Sequence, residues 1–292
     1  MDKNRFCGMI PPMIVPFDAD GGMDEAALRS EARYLLDTGI HGISSGGSTG
    51  EGALLSDAEL RRCLEIIGEE NHNGLPVYAG IIRNSTRDAI RAGLDARAVG
   101  ADALLVTPVF YHGATEQENY EFFRDIGEAV RLPLIVYNVV PTNIISPSLF
   151  YRLAELEWML GIKQVDPVKM AEMACAGDYR VFCACDQMLY GTYVSGACGA
   201  ISAMITVAPA LCVRQWNAFQ AGNQAEAVAI QRTLTPIVST YLAAPYPPKV
   251  KALIRLQGRH AGWARKPAIM PEGELLERMR AALRGAGLPV CC

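Results

Sequence analysis

Long hydrophobic runs are missing from this sequence. Half of its 292 residues are hydrophobic, yet nowhere do about 18 apolar residues follow one another, so no membrane-spanning helix is expected. A basic excess is missing as well: 27 Lys and Arg stand against 31 Asp and Glu, for a formal charge of −4. That balance lacks the electrostatic footprint which nucleic acid or an anionic membrane surface demands. Cysteine is present nine times, but without paired CxxC motifs and in an odd total, which argues against a disulfide framework and for reduced, small core residues. Cys183 and Cys185 put two thiols on one face of a strand; with no histidine beside them, no metal is expected there. Cys291 and Cys292 read as an exposed, oxidation-prone pair without function. No Rossmann glycine fingerprint or low-complexity linker occurs. Residues 1–8 carry charge and lead into no apolar segment of the kind a secretory leader needs, so the expected compartment is the cytoplasm.

What is present is an alternation. Strand-length apolar segments fall at 9–17, 42–45, 76–82, 103–107, 133–137, 160–166, 181–185 and 199–203. Helical patterns follow them at 24–38, 56–70, 86–99, 116–130, 146–155, 167–176, a short stretch to 194, and 209–221, with Ser56 and Glu59 spaced as a capping box. Eight strand–helix units in this order predict an α/β fold, a (β/α)8 TIM barrel over 1–222. Beyond Gly222 the alternation stops, and 224–242, 248–256 and 272–283 all read as helices. Residues 223–292 are therefore expected to form a helical extension packed on the barrel, within one structural unit.

The sixth strand segment carries the residue that needs a reason. Leu160-Gly161-Ile162-Lys163-Gln164-Val165-Asp166 places a lysine near the end of a buried strand, where desolvation favours the neutral, nucleophilic amine. The same run also fits a lysine that snorkels to water or pairs with Asp166.

Barrels of this class carry their chemistry at the C-terminal ends of the strands. Those ends here are Ser48-Thr49-Gly50-Glu51, Phe110-Tyr111-His112, Tyr137-Asn138, Lys163, Asp186-Gln187 and Ser202. Gly46 to Gly50 offers backbone N–H groups and two hydroxyls in a tight loop, suited to a carboxylate or phosphate, though an ordinary turn has the same composition. Tyr137 would point its phenol toward Lys163 if both side chains face inward; a core tyrosine is the plainer alternative. Of the four histidines, His41 precedes its strand and His72 follows a helix, so both fall at the opposite end. No two histidines converge on a metal, which counts against metal-dependent barrel hydrolases and class II aldolases.

Taken together, Pro12 to Phe17, Gly46-Gly-Ser-Thr-Gly-Glu51, Val106-Thr-Pro108, Val136-Tyr-Asn-Val139 and Gly161-Ile-Lys163 resemble the dihydrodipicolinate synthase/N-acetylneuraminate lyase family of Schiff-base barrel enzymes. The resemblance covers nearly the whole chain. It implies a lyase in which Lys163 forms an imine with pyruvate or another 2-oxo acid, with no cofactor and no metal. Tyr137 would shuttle protons, and Ser48, Thr49 and Gly50 would hold the carboxylate. Ala184, Asp186, Ile201 and Ser202 would line the rest of the site. The family's second tyrosine, donated across a subunit interface in the synthases, falls on Phe110 or Tyr111, and Tyr111 is the candidate that keeps the hydroxyl. A homotetramer built as a dimer of dimers is implied.

Two departures bear on substrate. The synthases carry an arginine shortly after the Tyr-Asn-Val-Pro stretch for the aldehyde's carboxylate, whereas this chain reads Tyr137-Asn-Val-Val-Pro-Thr-Asn143. Arg83, at the end of the third strand, is the nearest replacement cation unless it is a solvated loop residue. The usual glycine is Ala184, and Gln164-Val165-Asp166 replace the usual acidic or small polar residues after the lysine. A 2-oxo acid aldolase or dehydratase is the leading expectation. The synthase itself, or a non-catalytic 2-oxo acid-binding homologue, are the alternatives. Retention of Ser48, Thr49, Tyr137 and Lys163 together favours the enzyme, since a binding protein gains nothing from a desolvated lysine.

Overall fold

The computed structural model describes residues 2–291. Eight strands, β1 (Gly8–Ile10), β2 (Ile43–Ser45), β3 (Val77–Ile81), β4 (Ala103–Val106), β5 (Leu134–Asn138), β6 (Met159–Gln164), β7 (Arg180–Cys183) and β8 (Gly199–Ile201), pair in parallel in the order β1-β8-β7-β6-β5-β4-β3-β2. A bridge between Pro12 and Ser44 joins β1 to β2, with Met13 N donating to Ser44 O over 2.7 Å and Ser44 N to Pro11 O over 3.0 Å. The ring is thus a (β/α)8 barrel. β1 is shorter than the expected 9–17 because Pro11, Pro12 and Pro16 have no N–H to give a ladder.

The helices are α1 (Glu25–Leu36), α2 (Asp57–Glu70), α3 (Thr86–Ala98), α4 (Glu116–Val130), α5 (Pro147–Leu153), α6 (Pro167–Ala176), α7 (Leu189–Val194), α8 (Ala203–Val207), α9 (Pro209–Gln220), α10 (Gln224–Val238), α11 (Pro247–Leu256) and α12 (Glu274–Gly285). The capping box of Ser56 and Glu59 is made: Glu59 N donates to the serine hydroxyl and Ser56 N to the glutamate. The short α8 has no periodicity to read, since all five of its residues are buried. The glycine-rich loop after β2 is wound into two short 3₁₀ turns, Ser48–Gly50 and Gly52–Leu54. Among the described residues no helix is long and apolar enough to cross a membrane. Helices α10 to α12 lie against the barrel through α9, α8 and the turn at Ser48–Gly50.

Side chains divide into two apolar clusters, one between the sheet and the helices and one inside the barrel, where Ile10, Tyr78, Leu105, Ile135, Tyr137, Leu160, Phe182 and Ile201 meet. One irregularity positions the functional end. β6 carries an extra residue: Leu134 faces Met159, but Ile135 faces Gly161. A Cβ at position 161 would lie 1.8 Å from the carbonyl oxygen of Arg180, so only glycine fits there. Beyond this bulge Tyr137 is the register partner of Lys163, and Lys163 that of Phe182. Side chains alternate across a strand, so Lys163 shares the inward face of Tyr137 and Phe182.

Candidate active site

At the C-terminal end of the barrel, a cavity of about 250 Å³ is lined by Ser48, Thr49, Tyr137, Val139, Lys163, Val165, Ala184, Asp186, Ile201, Ser202, Ala203, Tyr241, Leu242 and Tyr246. Lys163 is 4% exposed, and its Nζ lies 3.9 Å from the ring centroid of Tyr137. Among the described residues no carboxylate makes an ion pair with it. Asp166 caps α6 instead, accepting from Val168 N (2.9 Å) and Lys169 N (3.2 Å), and its nearest cation is Lys169 at 4.0 Å. Pairing of Lys163 with Asp166 is therefore not what the fold builds.

The phenol of Tyr137 donates to Ser48 Oγ over 3.0 Å. Burial pushes this phenol up, but the charge of Lys163 and the Ser48 hydroxyl outweigh it and hold Tyr137 below the ordinary tyrosine range. Ser48 and Thr49 reach the cavity because the chain turns sharply at Gly46, which has φ +79°. A Cβ there would stand 2.7 Å from Gly80 O, so the glycine is required for the loop to lie on β3.

Asp186 lines the cavity, but its oxygens are engaged inside the protein. Ser202 donates its hydroxyl to Oδ1, and Tyr241 donates to Oδ2 over 2.6 Å. Burial raises the carboxyl above its ordinary value, against these two bonds and the charge of Lys163. Two of the expected residues do not reach the cavity. Gly50 is packed behind the loop, where a Cβ would stand 2.7 Å from Met13 O. Tyr111 is 77% exposed and lies edge-on to His112, and both it and Phe110 donate their backbone N–H to Asn84.

A second, largely apolar cavity of about 430 Å³ adjoins the first through Ser48 and Val139. Leu54, Ile82, Phe110, Val140, Pro141, Pro245 and Pro247 form its walls, with Thr107, Thr142 and Glu51 among its polar residues. Among the described residues, neither cavity is lined by an arginine or by a lysine other than Lys163. Arg83 is neither free nor solvated: it is mostly buried and ion-paired with Asp57 at 2.7 Å, which corrects the idea that it replaces the missing cation. Asn143 is also unavailable, exchanging hydrogen bonds with Asn119 at 2.8 and 3.0 Å. Thr142 donates its hydroxyl to Phe110 O over 3.1 Å.

Tyr241 and Tyr246 escaped the reading of strand ends because they belong to the segment between α10 and α11. The signal available was weak: two tyrosines flanking a proline-rich break, Tyr241-Leu-Ala-Ala-Pro-Tyr-Pro-Pro248. Only packing brings them over the barrel mouth.

Residues 5–286 match the sequence profile of the dihydrodipicolinate synthetase family. The chain is 33% identical over 297 residues to the 4-hydroxy-tetrahydrodipicolinate synthase of Methylobacterium radiotolerans, covering 99% of each. Its structure superimposes on the chloride-inhibited dihydrodipicolinate synthase of Acinetobacter baumannii complexed with pyruvate, with a TM-score of 0.92, 28% identity, and 97% and 99% of the two chains covered. An Escherichia coli prophage protein of the same family, in complex with pyruvate, matches with a TM-score of 0.92 and 26% identity over 97% and 99%.

Proposed function

The chain belongs to the dihydrodipicolinate synthetase family and to the lyases, and from that premise we propose that Lys163 condenses with the ketone of pyruvate or a related 2-oxo acid. Water leaves as the imine forms. Loss of a proton from the adjacent carbon gives the enamine, which adds to an aldehyde; the reverse course cleaves a carbon–carbon bond, and loss of a neighbouring hydroxyl gives dehydration. Tyr137 carries the proton, and Ser48 and Thr49 hold the carboxylate. The observation that carries this reading is the register pairing of Tyr137 with Lys163, which leaves a buried amine beside a phenol and away from any paired carboxylate. Borohydride reduction in the presence of pyruvate, followed by peptide mass spectrometry, is expected to find the adduct on Lys163. No adduct, or an adduct on Lys169, overturns it.

The second reactant, in this proposal, is an uncharged or hydroxylated aldehyde, or the substrate is a 3-deoxy-2-oxo sugar acid. A further carboxylate in a partly dry pocket costs several kcal/mol unless a cation meets it, and the two cavities supply none besides Lys163. The names of the relatives favour instead the synthase reaction with aspartate semialdehyde. A coupled assay separates the two: kcat/KM with aspartate semialdehyde is expected to fall below about 10⁴ M⁻¹s⁻¹, the lower end of ordinary enzymes. We also propose a cytoplasmic homotetramer, a dimer of dimers, for which the exposed ring of Tyr111 at the barrel mouth is the local support. A monomer in sedimentation at micromolar concentration rejects it.

A further inference from the structure

The helical extension brings a phenol up to the glycine-rich loop at the barrel mouth. Tyr246 immediately precedes α11, lines the same cavity as Lys163 and Tyr137, and puts its Oη 3.3 Å from Thr49 Oγ1. A hydroxyl pair usually closes to about 2.7–2.8 Å, so this hydrogen bond is long, and either oxygen can be its donor. Thr49 itself is buried in the loop next to Ser48, whose hydroxyl already accepts from Tyr137. Two phenols therefore flank two adjacent hydroxyls, one from the barrel and one from the extension. Their environments differ. Burial, with Tyr137 nearby, pushes the Tyr246 phenol far above the tyrosine range, whereas the Lys163 charge and the Ser48 hydroxyl bring Tyr137 down against its own burial. Tyr246 is thus suited to donate a hydrogen bond rather than to exchange a proton.

We infer that Tyr246 is a substrate-binding residue supplied by the chain's own extension, donating its phenolic hydrogen to the carboxylate of the 2-oxo acid alongside Thr49. The need is chemical: among the described residues the cavity has no cation other than the amine that becomes the imine, so the carboxylate has to be held by neutral donors, and each further donor to a charged acceptor counts. This inference rests on the imine reading of Lys163, and its test keeps the two apart. Half-saturation for borohydride trapping on Lys163 is measured with pyruvate and with ethyl pyruvate, which keeps the ketone but has no carboxylate charge. Tyr246→Phe preserves the ring and its packing. It is expected to raise the half-saturation for pyruvate about 10-fold or more, to change that for ethyl pyruvate less than 3-fold, and to leave the maximum trapped fraction and the thermal midpoint unchanged. Equal shifts for the acid and the ester, or a pyruvate shift under 2-fold, overturn the assignment. Failure of the unaltered protein to trap either ketone overturns the imine reading, and this inference with it.

Discussion

Two lysines are buried among the described residues, one on a barrel strand and one on the extension, and they meet opposite fates. Lys251, on α11, is 0% exposed. It donates to Glu51 and, over 2.6 Å, to Trp263 O, and stands 4.4 Å from the Phe17 ring centroid. The other oxygen of Glu51 accepts from Arg265 N over 2.9 Å. Lys163 is almost as buried but faces a phenol ring and open cavity. Burial alone does not make a lysine a nucleophile; what matters is whether a carboxylate has neutralised it. Lys251 is a clamp between the extension and the glycine-rich loop after β2, because Glu51 directly follows Ser48-Thr49-Gly50. Lys163, among the described residues, has no ion-paired carboxylate, which is what its proposed role as the imine-forming amine requires.

The sharpest break of this comparison is Lys163→Arg, which keeps the charge but cannot form an imine. Turnover of any 2-oxo acid substrate is expected to fall at least about 10³-fold, with folding by circular dichroism unchanged. Retention of more than about a tenth of the activity contradicts the assigned role.

Lys251→Met is expected to do the reverse, costing about 3–5 kcal/mol of stability by leaving Glu51 buried and unpaired, while the folded fraction still traps pyruvate on Lys163. Urea unfolding reads the loss. The double variant Lys251→Met, Glu51→Gln is expected to recover a large part of it, and a single variant as stable as the parent refutes the clamp.

The smallest effect expected of Lys251 itself is in the pH dependence of stability from pH 8 to 9. Burial lowers Lys251 to about 8 from an ordinary 10.5, although Glu51 opposes this. Between those values the unfolded chain holds the extra proton, so this group raises stability with pH by about 1.4 kcal/mol per unit. Burial pushes the thiols of Cys63, Cys183 and Cys198 the other way, up to about 12 from 9. Their contribution is complete below pH 9 and is lost between 9 and 12, at about 1.4 kcal/mol per unit for each. Urea midpoints are thus expected to hold or rise slightly from pH 8 to 9 and to drop steeply above it. A steady fall beginning at pH 8 removes Lys251 from this account.

Much of the barrel was legible in the chain. Each strand–helix unit is a local pattern of apolar period and turn residues, and eight of them in sequence leave few ways to close a parallel sheet. The segment that carries Lys163 was legible for the same reason, because strand ends in such a barrel converge. Boundaries were less so: Pro11, Pro12 and Pro16 shorten β1 through missing N–H groups, and α8 has no exposed face to give it a period.

Sequence by itself, then, determined the eightfold alternation, the class of fold, and the set of strand-end residues Ser48, Thr49, Tyr137, Lys163 and Asp186 that line the cavity. Tertiary structure alone decided how those residues are used. It set the bulge at Gly161 that puts Lys163 beside Tyr137, engaged Asp186 with Ser202 and Tyr241, tied Arg83 to Asp57, left Tyr111 outside the cavity, and brought Tyr246 over Thr49 from 197 residues away. The reason is physical: periodicity and turn chemistry act over a few residues and are written locally. Whether a charge or a hydroxyl is satisfied depends on partners that only packing of distant segments brings within 3 Å.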